Sequence, residues 1–297
     1  MIEVKNLYKS YGNKYNPVLK GFSMKVEKGT IHGVIGHNGS GKTTLIKCLT
    51  GIYAPDSGEI LIGGQKVFDN SIIKEKIAYV ADSNQYFIGY KVKELVKFYQ
   101  KIYPTFSQDD YWYLNKIFEV DPTKRIRQLS KGQQMRVSFM LNMAINPEVM
   151  ILDEPTSGLD AMAKRDLLDL LVSTVENNQT TVVISSHHLG ELEKICDTMT
   201  MIDHGTVKYQ DELETVKNVI CKYQVVFPKG APKELFEQPG ILNLSNVGSV
   251  YTIITEKNDN PYEEKWKNLG AILVEPMEVE LEEMFVYMNR GGVQHVS

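Results

Sequence analysis

The sequence predicts an α/β fold built around a buried parallel sheet, and three stretches of the chain carry this prediction. Residues 149–152 and 181–184 are apolar runs short enough to be buried parallel strands. Residues 164–175 between them have helical spacing, which predicts a strand–helix–strand crossover. Residues 30–35 predict a third strand, which runs directly into a glycine-rich turn and a helix at residues 42–49.

The other predicted elements divide the chain into a larger domain of residues 1–210 and an accessory α+β region of residues 211–297. Alternation of polar and apolar residues predicts strands of the larger domain at residues 1–4 and 18–26, and residues 59–62 and 77–80 are further short strand candidates. A helical subdomain is predicted from about residue 88 to 143, where Pro104 and Pro122 separate the helices. The accessory region is predicted to contain strands at 223–227 and 249–255 and a closing helix at 281–288.

The composition is that of an ordinary globular protein and argues against nucleic acid as a partner. The chain has 33 basic and 37 acidic residues, a net charge of −4, whereas nucleic-acid-binding domains usually carry a basic excess. Three cysteines do not suggest a disulfide framework, so we expect reduced thiols in a cytosolic protein. No apolar run reaches the about 20 residues of a membrane span, and the first residues lack a signal peptide. Any role at a membrane is therefore expected to need a partner chain.

Residues 36–43, GHNGSGKT, fit the phosphate-binding pattern G-x-x-x-x-G-K-[ST] in the required context of a strand before and a helix after. The glycines allow backbone N–H groups to converge on phosphate oxygens, and the dipole of the following helix favours the same anion. The lysine can neutralise the β- and γ-phosphates, and the threonine hydroxyl can ligate Mg²⁺. We expect nucleotide contacts from Gly36, Asn38, Gly39, Ser40, Gly41, Lys42, Thr43 and Thr44.

Residues 149–154, VMILDE, form the complementary acidic element. Asp153 follows the apolar run at the carboxyl end of its strand, where open α/β sheets bind ligands. A carboxylate at this place can hold the Mg²⁺ shell, and Glu154 is placed to polarise an attacking water. The loop and the acidic strand end together predict a P-loop NTPase.

Residues 129–133, LSKGQ, precede a helical pattern and narrow the class. Here the chain resembles the ATP-binding cassette (ABC) family, whose signature motif L-S-G-G-Q stands at this place. The resemblance implies that the signature of one subunit caps the γ-phosphate held by another, through Ser130, Gly132 and Gln133. A hydroxyl and a helix N-terminus suit this task physically. Taken alone, Ser130 is typical of an ordinary helix N-cap.

Three further matches extend the resemblance over residues 1–210. The stretch SGLD, which ends at Asp160, matches the D-loop that lies across the dimer interface. The stretch ISSH, which ends at His187, matches the switch histidine that contacts the γ-phosphate and the attacking water. Tyr11 matches the aromatic residue that stacks on adenine, with Tyr8 and Tyr15 close by. The resemblance therefore implies a catalytic set of Glu154, His187 and Lys42.

Two positions depart from the family pattern. Lys131 replaces the first glycine of the signature pair, where it either adds charge near the γ-phosphate or faces solvent. Residues 77–82, IAYVAD, match the strand before the Q-loop, but Asp82 stands where glutamine is usual. Asp82 keeps an oxygen ligand for Mg²⁺, so the implied metal ligands are Thr43, Asp82 and Asp153. Gln85 is the alternative if the loop shifts.

Within the family, the chain looks most similar to ATPases of bacterial exporters of antibiotics and amphipathic peptides, a subgroup that includes phenol-soluble modulin, acetoin and bacitracin-type transporters. The stretches FYQKIYPTF at 98–106 and ELEEMF at 280–285 carry this similarity. It implies a RecA-like core with an antiparallel β subdomain and a helical subdomain, and ATP and Mg²⁺ as ligands. It also implies a second ATPase subunit, in the simplest case an identical copy, and transmembrane permease subunits at the cytoplasmic face of the membrane.

Three alternative functions differ from transport. A DNA-repair or chromosome-organising ATPase would need a long coiled coil, but only 111 residues separate Lys42 from Asp153, without a heptad array. A ribosome-associated ABC factor usually has two cassettes and basic linkers, and this sequence contains one cassette. A regulatory ATP sensor whose turnover is incidental stays open because of Asp82.

Overall fold

The computed structural model describes residues 1–12, 16–82, 87–236, 238–257, 262–290 and 294–295. The chain divides into two compact units, Met1–Asp211 and Glu212–Ser297. The strands of the first unit are β1 (Ile2–Lys9), β2 (Leu19–Val26), β3 (Ile31–Ile35), β4 (Ser57–Ile62), β5 (Gln65–Lys66), β6 (Ile77–Val80), β7 (Val149–Asp153), β8 (Thr181–Ser185), β9 (Thr198–Asp203) and β10 (Thr206–Glu212). Its helices are α1 (Lys42–Leu49), α2 (Ser71–Lys74), α3 (Val92–Ile102), α4 (Gln108–Phe118), α5 (Lys131–Met143), α6 (Ala161–Asn178) and α7 (Leu189–Leu192). Helix α8 (Leu213–Lys217) lies at the start of the second unit.

A six-stranded sheet in the order β10-β9-β3-β8-β7-β6 forms the core of the first unit. The pairs β3–β8, β3–β9, β7–β8 and β6–β7 are parallel. Every residue of β3, β7 and β8 is buried, as expected for strands covered on both faces. Because these strands are parallel, the loops after β3, β7 and β8 all leave from the same edge of the sheet.

A second, antiparallel sheet in the order β2-β1-β4-β5 packs its apolar face onto the same core. Ile2, Val4 and Phe22 of this sheet join one hydrophobic cluster with Val34 of β3 and Leu45 of α1. The predicted strand at residues 1–4 continues to Lys9, because the pairing register shifts between Val4 and Leu7 and then resumes. The residue in this bulge, Asn6, has φ of 47°.

The helical segment between β6 and β7 contains α3, α4, a 3₁₀ turn at Ile126–Gln128 and α5. Helix α3 ends before Pro104 and α4 ends before Pro122, in agreement with the proline positions. Ser107 caps α4 by accepting a hydrogen bond from the backbone N–H of Asp110 at 3.1 Å. Helix α5 ends this segment, and its N-terminus is capped in the same way.

The second unit has a β-α-β-β-α-β order that is typical of ferredoxin-like domains. Its elements are β11 (Ile220–Val226), α9 (Lys233–Phe236), β12 (Ile241–Val247), β13 (Val250–Glu256), α10 (Tyr262–Asn268), β14 (Leu273–Met277), α11 (Leu281–Arg290) and β15 (Gln294–His295). The strands pair in the order β14-β11-β13-β12-β15. Trp266, Phe227 and Tyr251 lie in its hydrophobic core, which is separate from that of the first unit.

The α/β fold predicted from the sequence is confirmed, with small differences at the element boundaries. Helix α6 begins at Ala161 rather than residue 164, because the Asp160 side chain accepts a hydrogen bond from the N–H of Ala163. Strands β9 and β10 were not predicted. In the described part of the chain, no helix has the length and apolar character required to cross a membrane.

Candidate functional site

The phosphate loop connects β3 to α1 and has the backbone conformations that its glycines permit. Gly39 and Gly41 have φ of 80° and 115°, in the left-handed region where other residues are strained. A Cβ on Gly36 would lie 2.5 Å from the carbonyl oxygen of Ile202 and 2.5 Å from Ser40 Oγ, so this position has no room for a side chain. Ser40 Oγ is buried and finds no hydrogen-bond partner within the described residues, which leaves it available to a phosphate oxygen.

Lys42, the first residue of α1, turns its ammonium back over the loop. Its Nζ donates to the carbonyl oxygens of Gly36 at 2.6 Å and His37 at 3.1 Å. Burial lowers the pKa of Lys42, while the carboxylates of Glu154 and Asp153 act in the opposite direction. The loop carbonyls therefore hold the ammonium in place, and a bound anion would contact it without a large movement of the side chain.

The acidic end of β7 lies beside this loop. Asp153 is only 4% exposed, and its Oδ1 accepts a hydrogen bond from Ser185 Oγ of β8 at 2.7 Å. Glu154 has φ of 52°, a left-handed conformation that is uncommon for a residue other than glycine. Its backbone N–H donates to the carbonyl of Ser185 at 3.1 Å. Such outliers persist only where surrounding contacts fix them, and they are concentrated at functional sites.

His187, in the loop after β8, contacts the Glu154 carboxylate directly. His187 Nδ1 lies 2.6 Å from Glu154 Oε2, and its backbone N–H donates to the same oxygen at 3.2 Å. The ring centroids of His187 and His188 are 4.0 Å apart. The sequence-predicted pair of Glu154 and His187 is therefore brought together, with the carboxylate oriented by two donors from one residue.

A cavity of about 500 Å³ joins these elements. It is lined by Val18, Asn38, Gly39, Gly41, Lys42, Thr43, Thr44, Asp82, Lys131, Glu154, Ser157 and His187. The sequence analysis did not identify Val18 or Ser157 as candidate site residues. Ser157 begins the stretch SGLD, so its place in that motif was a usable signal, whereas nothing in the local pattern distinguishes Val18.

The residues predicted to act on a second copy do not line this cavity. Ser130 caps α5 in a reciprocal box, in which Ser130 Oγ accepts from the N–H of Gln133 and Gln133 Oε1 accepts from the N–H of Ser130, both at 3.2 Å. A Cβ on Gly132 would lie 2.5 Å from the carbonyl oxygen of Gly158. Asp160 caps α6 and pairs with a nearby arginine, and its hydrogen bond from the backbone of α6 lowers its pKa.

The two departures from the family pattern meet in space. Lys131 Nζ lies 2.9 Å from Asp82 Oδ1 and donates to Ser157 Oγ at 3.1 Å. The side chains of Lys131 and Asp82 are 54% and 45% exposed. Lys131, Asp82 and Ser157 therefore line the cavity of their own chain together. Gln85, the alternative to Asp82, lies outside the described residues.

Tyr11 lies next to the helix that follows the phosphate loop. Its hydroxyl is 3.0 Å from Thr44 Oγ1, and its ring meets that of Tyr53 edge-on at 5.7 Å. Tyr11 is half exposed. Tyr8 is 43% exposed, and its hydroxyl would lie 3.1 Å from a Cβ on Gly21, away from the loop; Tyr15 lies outside the described residues.

A glycine-rich cradle with an orphaned hydroxyl, a centred ammonium and a neighbouring acidic pair defines a nucleoside-triphosphatase of the P-loop class. The oxygen donors fit a hard cation: Asp153 supplies a buried carboxylate and Thr43 a hydroxyl on the cavity wall.

Comparison with known proteins gives the family. A family model described as ABC transporter matches residues 19–157. The ABC transporter ATP-binding protein YtrB of Bacillus subtilis (strain 168) is 33% identical over 289 residues, which is 96% of this chain and 97% of YtrB. The methionine import ATP-binding protein MetN 1 of Bacillus cereus is 30% identical over 281 residues, 84% of this chain and 78% of MetN 1. The lantibiotic transport ATP-binding protein SrtF of Streptococcus pyogenes is 28% identical over 232 residues, 77% of this chain and 99% of SrtF.

A solved structure supports the same conclusion. The dimeric post-hydrolysis state of the ATP-binding cassette MJ0796 with ADP and Pi is 25% identical, covers 72% of this chain and 99% of its own, and has a TM-score of 0.64. The chain belongs to the ABC transporter ATP-binding family. It is an ATP-binding and ATP-hydrolysing subunit of a transporter.

Proposed function

We propose that this subunit works as a homodimer at the cytoplasmic face of the membrane, where it drives a separate transmembrane permease that exports peptides or antibiotics. ATP hydrolysis by this subunit is supported by the contact between Glu154 and His187, which line the same cavity as Lys42. The exported class is supported by the similarity to SrtF, a lantibiotic transport ATP-binding protein, and by the stretches of residues 98–106 and 280–285.

Each residue at the site has a proposed role. Lys42 leaves the loop carbonyls for the β- and γ-phosphates, and the N–H groups from Gly39 to Thr44 and Ser40 Oγ bind the phosphate oxygens. Thr43 and Asp153 hold Mg²⁺, with Asp82 supplying a further oxygen from the cavity wall. When bound, Mg²⁺ neutralises charge that develops on the phosphate oxygens. Glu154 orients the attacking water, and His187 fixes the Glu154 carboxylate.

A composite site, to which Ser130, Gly132, Gln133 and Asp160 contribute from a second copy, is supported by the dimeric ATP-binding cassette MJ0796, to which the chain is similar. In a head-to-tail dimer, the N-terminus of α5 from one copy would face the phosphates held by the other. Tyr11 would stack on the adenine. Closure of the two copies around ATP gives the nucleotide different affinities for the open and closed states, which is the condition for driving a conformational change.

Two substitutions test the assignment of the ATPase residues. Glu154→Gln removes the base but keeps an oxygen that His187 can contact, so we expect nucleotide binding to persist and turnover to fall by about 10²- to 10⁴-fold. Lys42→Ala removes the central ammonium, and we expect nucleotide binding to be lost. Equilibrium binding of a fluorescent ATP analogue and phosphate release measure the two properties. Normal turnover by the Glu154→Gln protein would contradict the assignment.

A mixing experiment tests the composite dimer. Lys42→Ala and Ser130→Arg each inactivate both sites of their own homodimer. In a mixed dimer one site carries both substitutions and the other carries none, so an equal mixture should recover roughly a quarter of the wild-type activity. The control is a mixture of Lys42→Ala with a protein that carries both substitutions, which has no intact site. An inactive first mixture would count against sites shared between two copies.

Import is the second candidate, because MetN 1, a methionine import protein, is also similar over most of the chain. The membrane protein that co-purifies with the chain is to be reconstituted in vesicles with the ATPase face outward. ATP-dependent loading of a labelled cationic peptide into these vesicles is expected for an exporter, and no such loading for an importer. A chain that hydrolyses ATP but associates with no permease would support the regulatory or ribosome-associated alternative.

A further inference from the structure

Three side chains with metal-ligating atoms meet at the outer side of the phosphate loop, away from the acidic pair. His37 belongs to the loop, and Asp203 and His204 lie at the turn between β9 and β10. His37 Nε2 is 3.2 Å from Asp203 Oδ1, and His204 Nε2 is 3.8 Å from the same oxygen. One ligand atom from each residue lies within 4.8 Å of the other two. None of these three residues lines the nucleotide cavity.

Both ring nitrogens of His37 lie beside oxygen atoms. His37 Nδ1 lies 2.8 Å from the carbonyl oxygen of Asn38, and because a carbonyl can only accept, Nδ1 carries the proton. In the neutral ring Nε2 then has a lone pair, which faces the Asp203 carboxylate at 3.2 Å. A metal ion bound to both atoms would use the lone pair of Nε2 and the carboxylate oxygen together. Histidine ligands of metals commonly donate their other N–H to a backbone carbonyl in this way.

The turn that carries Asp203 and His204 is fixed against the loop. His204 and Gly205 have φ of 47° and 85°, the conformation of a two-residue type I′ hairpin. The N–H of Gly205 donates to the carbonyl of Ser40 at 3.0 Å, and the carbonyl of Gly205 accepts from the N–H of Lys20 at 2.9 Å. The ligands therefore come from two elements whose backbones are already locked together, which lowers the cost of assembling a site.

The donor set selects the class of metal. Two imidazoles and one carboxylate suit Zn²⁺ and its neighbours in the first transition series, whereas Mg²⁺ prefers a shell of oxygens. Tetrahedral zinc with bonds of 2.0–2.2 Å places its ligand atoms about 3.3–3.5 Å apart. The two separations to Asp203, 3.2 and 3.8 Å, are close to this value. Water would complete the fourth position.

We propose that His37, Asp203 and His204 form a zinc-binding site that ties the phosphate loop to the β9–β10 turn. Bound zinc would hold the backbone of His37, whose carbonyl accepts a hydrogen bond from Lys42 Nζ. The metal therefore stabilises the loop in the conformation in which its own carbonyls, and not phosphate, engage the ammonium. We expect zinc to bind the nucleotide-free protein more tightly than the ATP-bound protein, and by linkage to weaken ATP binding.

Cobalt(II) tests the site by its visible absorption. The metal-free, nucleotide-free chain is titrated with Co²⁺ in excess Mg²⁺, and zinc is then added to displace the cobalt. We expect one equivalent to bind, with an absorption typical of a four-coordinate ion. Asp203→Asn and His204→Ala should each weaken binding by at least about tenfold. His204 has an 80% exposed side chain, so its substitution leaves the core intact.

His188→Ala is the matched control, because it removes one imidazole near Glu154 and leaves the proposed site whole. It should bind cobalt as the wild type does, and zinc should raise the melting temperature of wild type and His188→Ala but not of His204→Ala. The proposal is overturned if no saturable cobalt binding occurs. It is also overturned if His204→Ala binds as well as wild type, or if binding disappears in His188→Ala.

Discussion

His32 lies in the middle of the parallel sheet, on the strand that leads into the phosphate loop, and should make the first unit sensitive to acid. The side chain is fully buried, with Nδ1 2.7 Å from Thr198 Oγ1 and Nε2 2.8 Å from Thr200 Oγ1. Burial lowers the pKa of His32 from 6.5 to about 4, because the charged ring would lose its hydration without a carboxylate in hydrogen-bond contact. The folded state therefore favours the neutral ring.

The two pKa values set the size and direction of the effect. One pKa unit corresponds to about 1.36 kcal/mol. The difference between 6.5 and about 4 therefore lowers the free energy of unfolding by about 3.4 kcal/mol once the pH is below both pKa values. Between these values the unfolded chain binds more protons than the folded chain, so stability falls as the pH falls through this window. From pH 7.5 to pH 5.0, this one group should remove about 2 kcal/mol from the free energy of unfolding.

The assay compares wild type with His32→Gln, which does not titrate but keeps a hydrogen-bonding side chain. Trp266 belongs to the second unit, so both proteins carry Trp266→Phe and the fluorescence of Trp112 reports on the first unit. Urea unfolding is measured at pH 7.5 and pH 5.0. The wild type should lose about 2 kcal/mol more than the variant between the two conditions. Equal losses would refute the neutral, buried ring.

Three further predictions concern the phosphate loop and the start of α5. Gly36→Ala should weaken ATP binding by more than about tenfold, because the new Cβ would lie 2.5 Å from two oxygen atoms; Gly190→Ala, with open space around it, is the control that should bind normally. In a double-mutant cycle on unfolding free energy, Lys131→Met and Asp82→Asn should show a coupling of about 0.2–1 kcal/mol, since both side chains are half exposed; a coupling well above this range would contradict a solvated pair. Ser130→Ala should destabilise the first unit by about 1 kcal/mol in urea unfolding through loss of the α5 cap, and unchanged stability would show that the cap is not needed.

The elements that position the site could be predicted because each has a strong local pattern. The buried runs of β3, β7 and β8 and the glycines after β3 determine their own conformations, so sequence reasoning found the loop, Asp153 and Glu154. That His187 belongs to the same site as Glu154 was implied only by the resemblance to a family, and their direct contact was not predicted. No local pattern shows that the loops after β7 and β8 meet, because that contact depends on the parallel order of the sheet.

The second unit was harder to predict because its strands have weaker patterns. Strand β14 contains Pro276, which removes a backbone donor and normally argues against a strand. It is tolerated because β14 lies at the edge of the sheet and pairs only with β11. Strand β12, ILNLSNV, ends in four consecutive residues without a clear alternation, and three of them are exposed. The order of the five strands could therefore not be obtained from periodicity alone.

Lys131 and Asp82 show what a residue-by-residue comparison with a family leaves out. They are 49 positions apart, and the sequence presents them as two separate losses, a glycine at one place and a glutamine at the other. In the folded chain they are one contact of 2.9 Å, so each substitution supplies the partner of the other. A lysine paired in this way adds almost no net charge to the cavity, because the field of the carboxylate cancels that of the ammonium within a short distance. The effect of Lys131 on a phosphate therefore depends on where Asp82 lies, and the two departures have to be interpreted together.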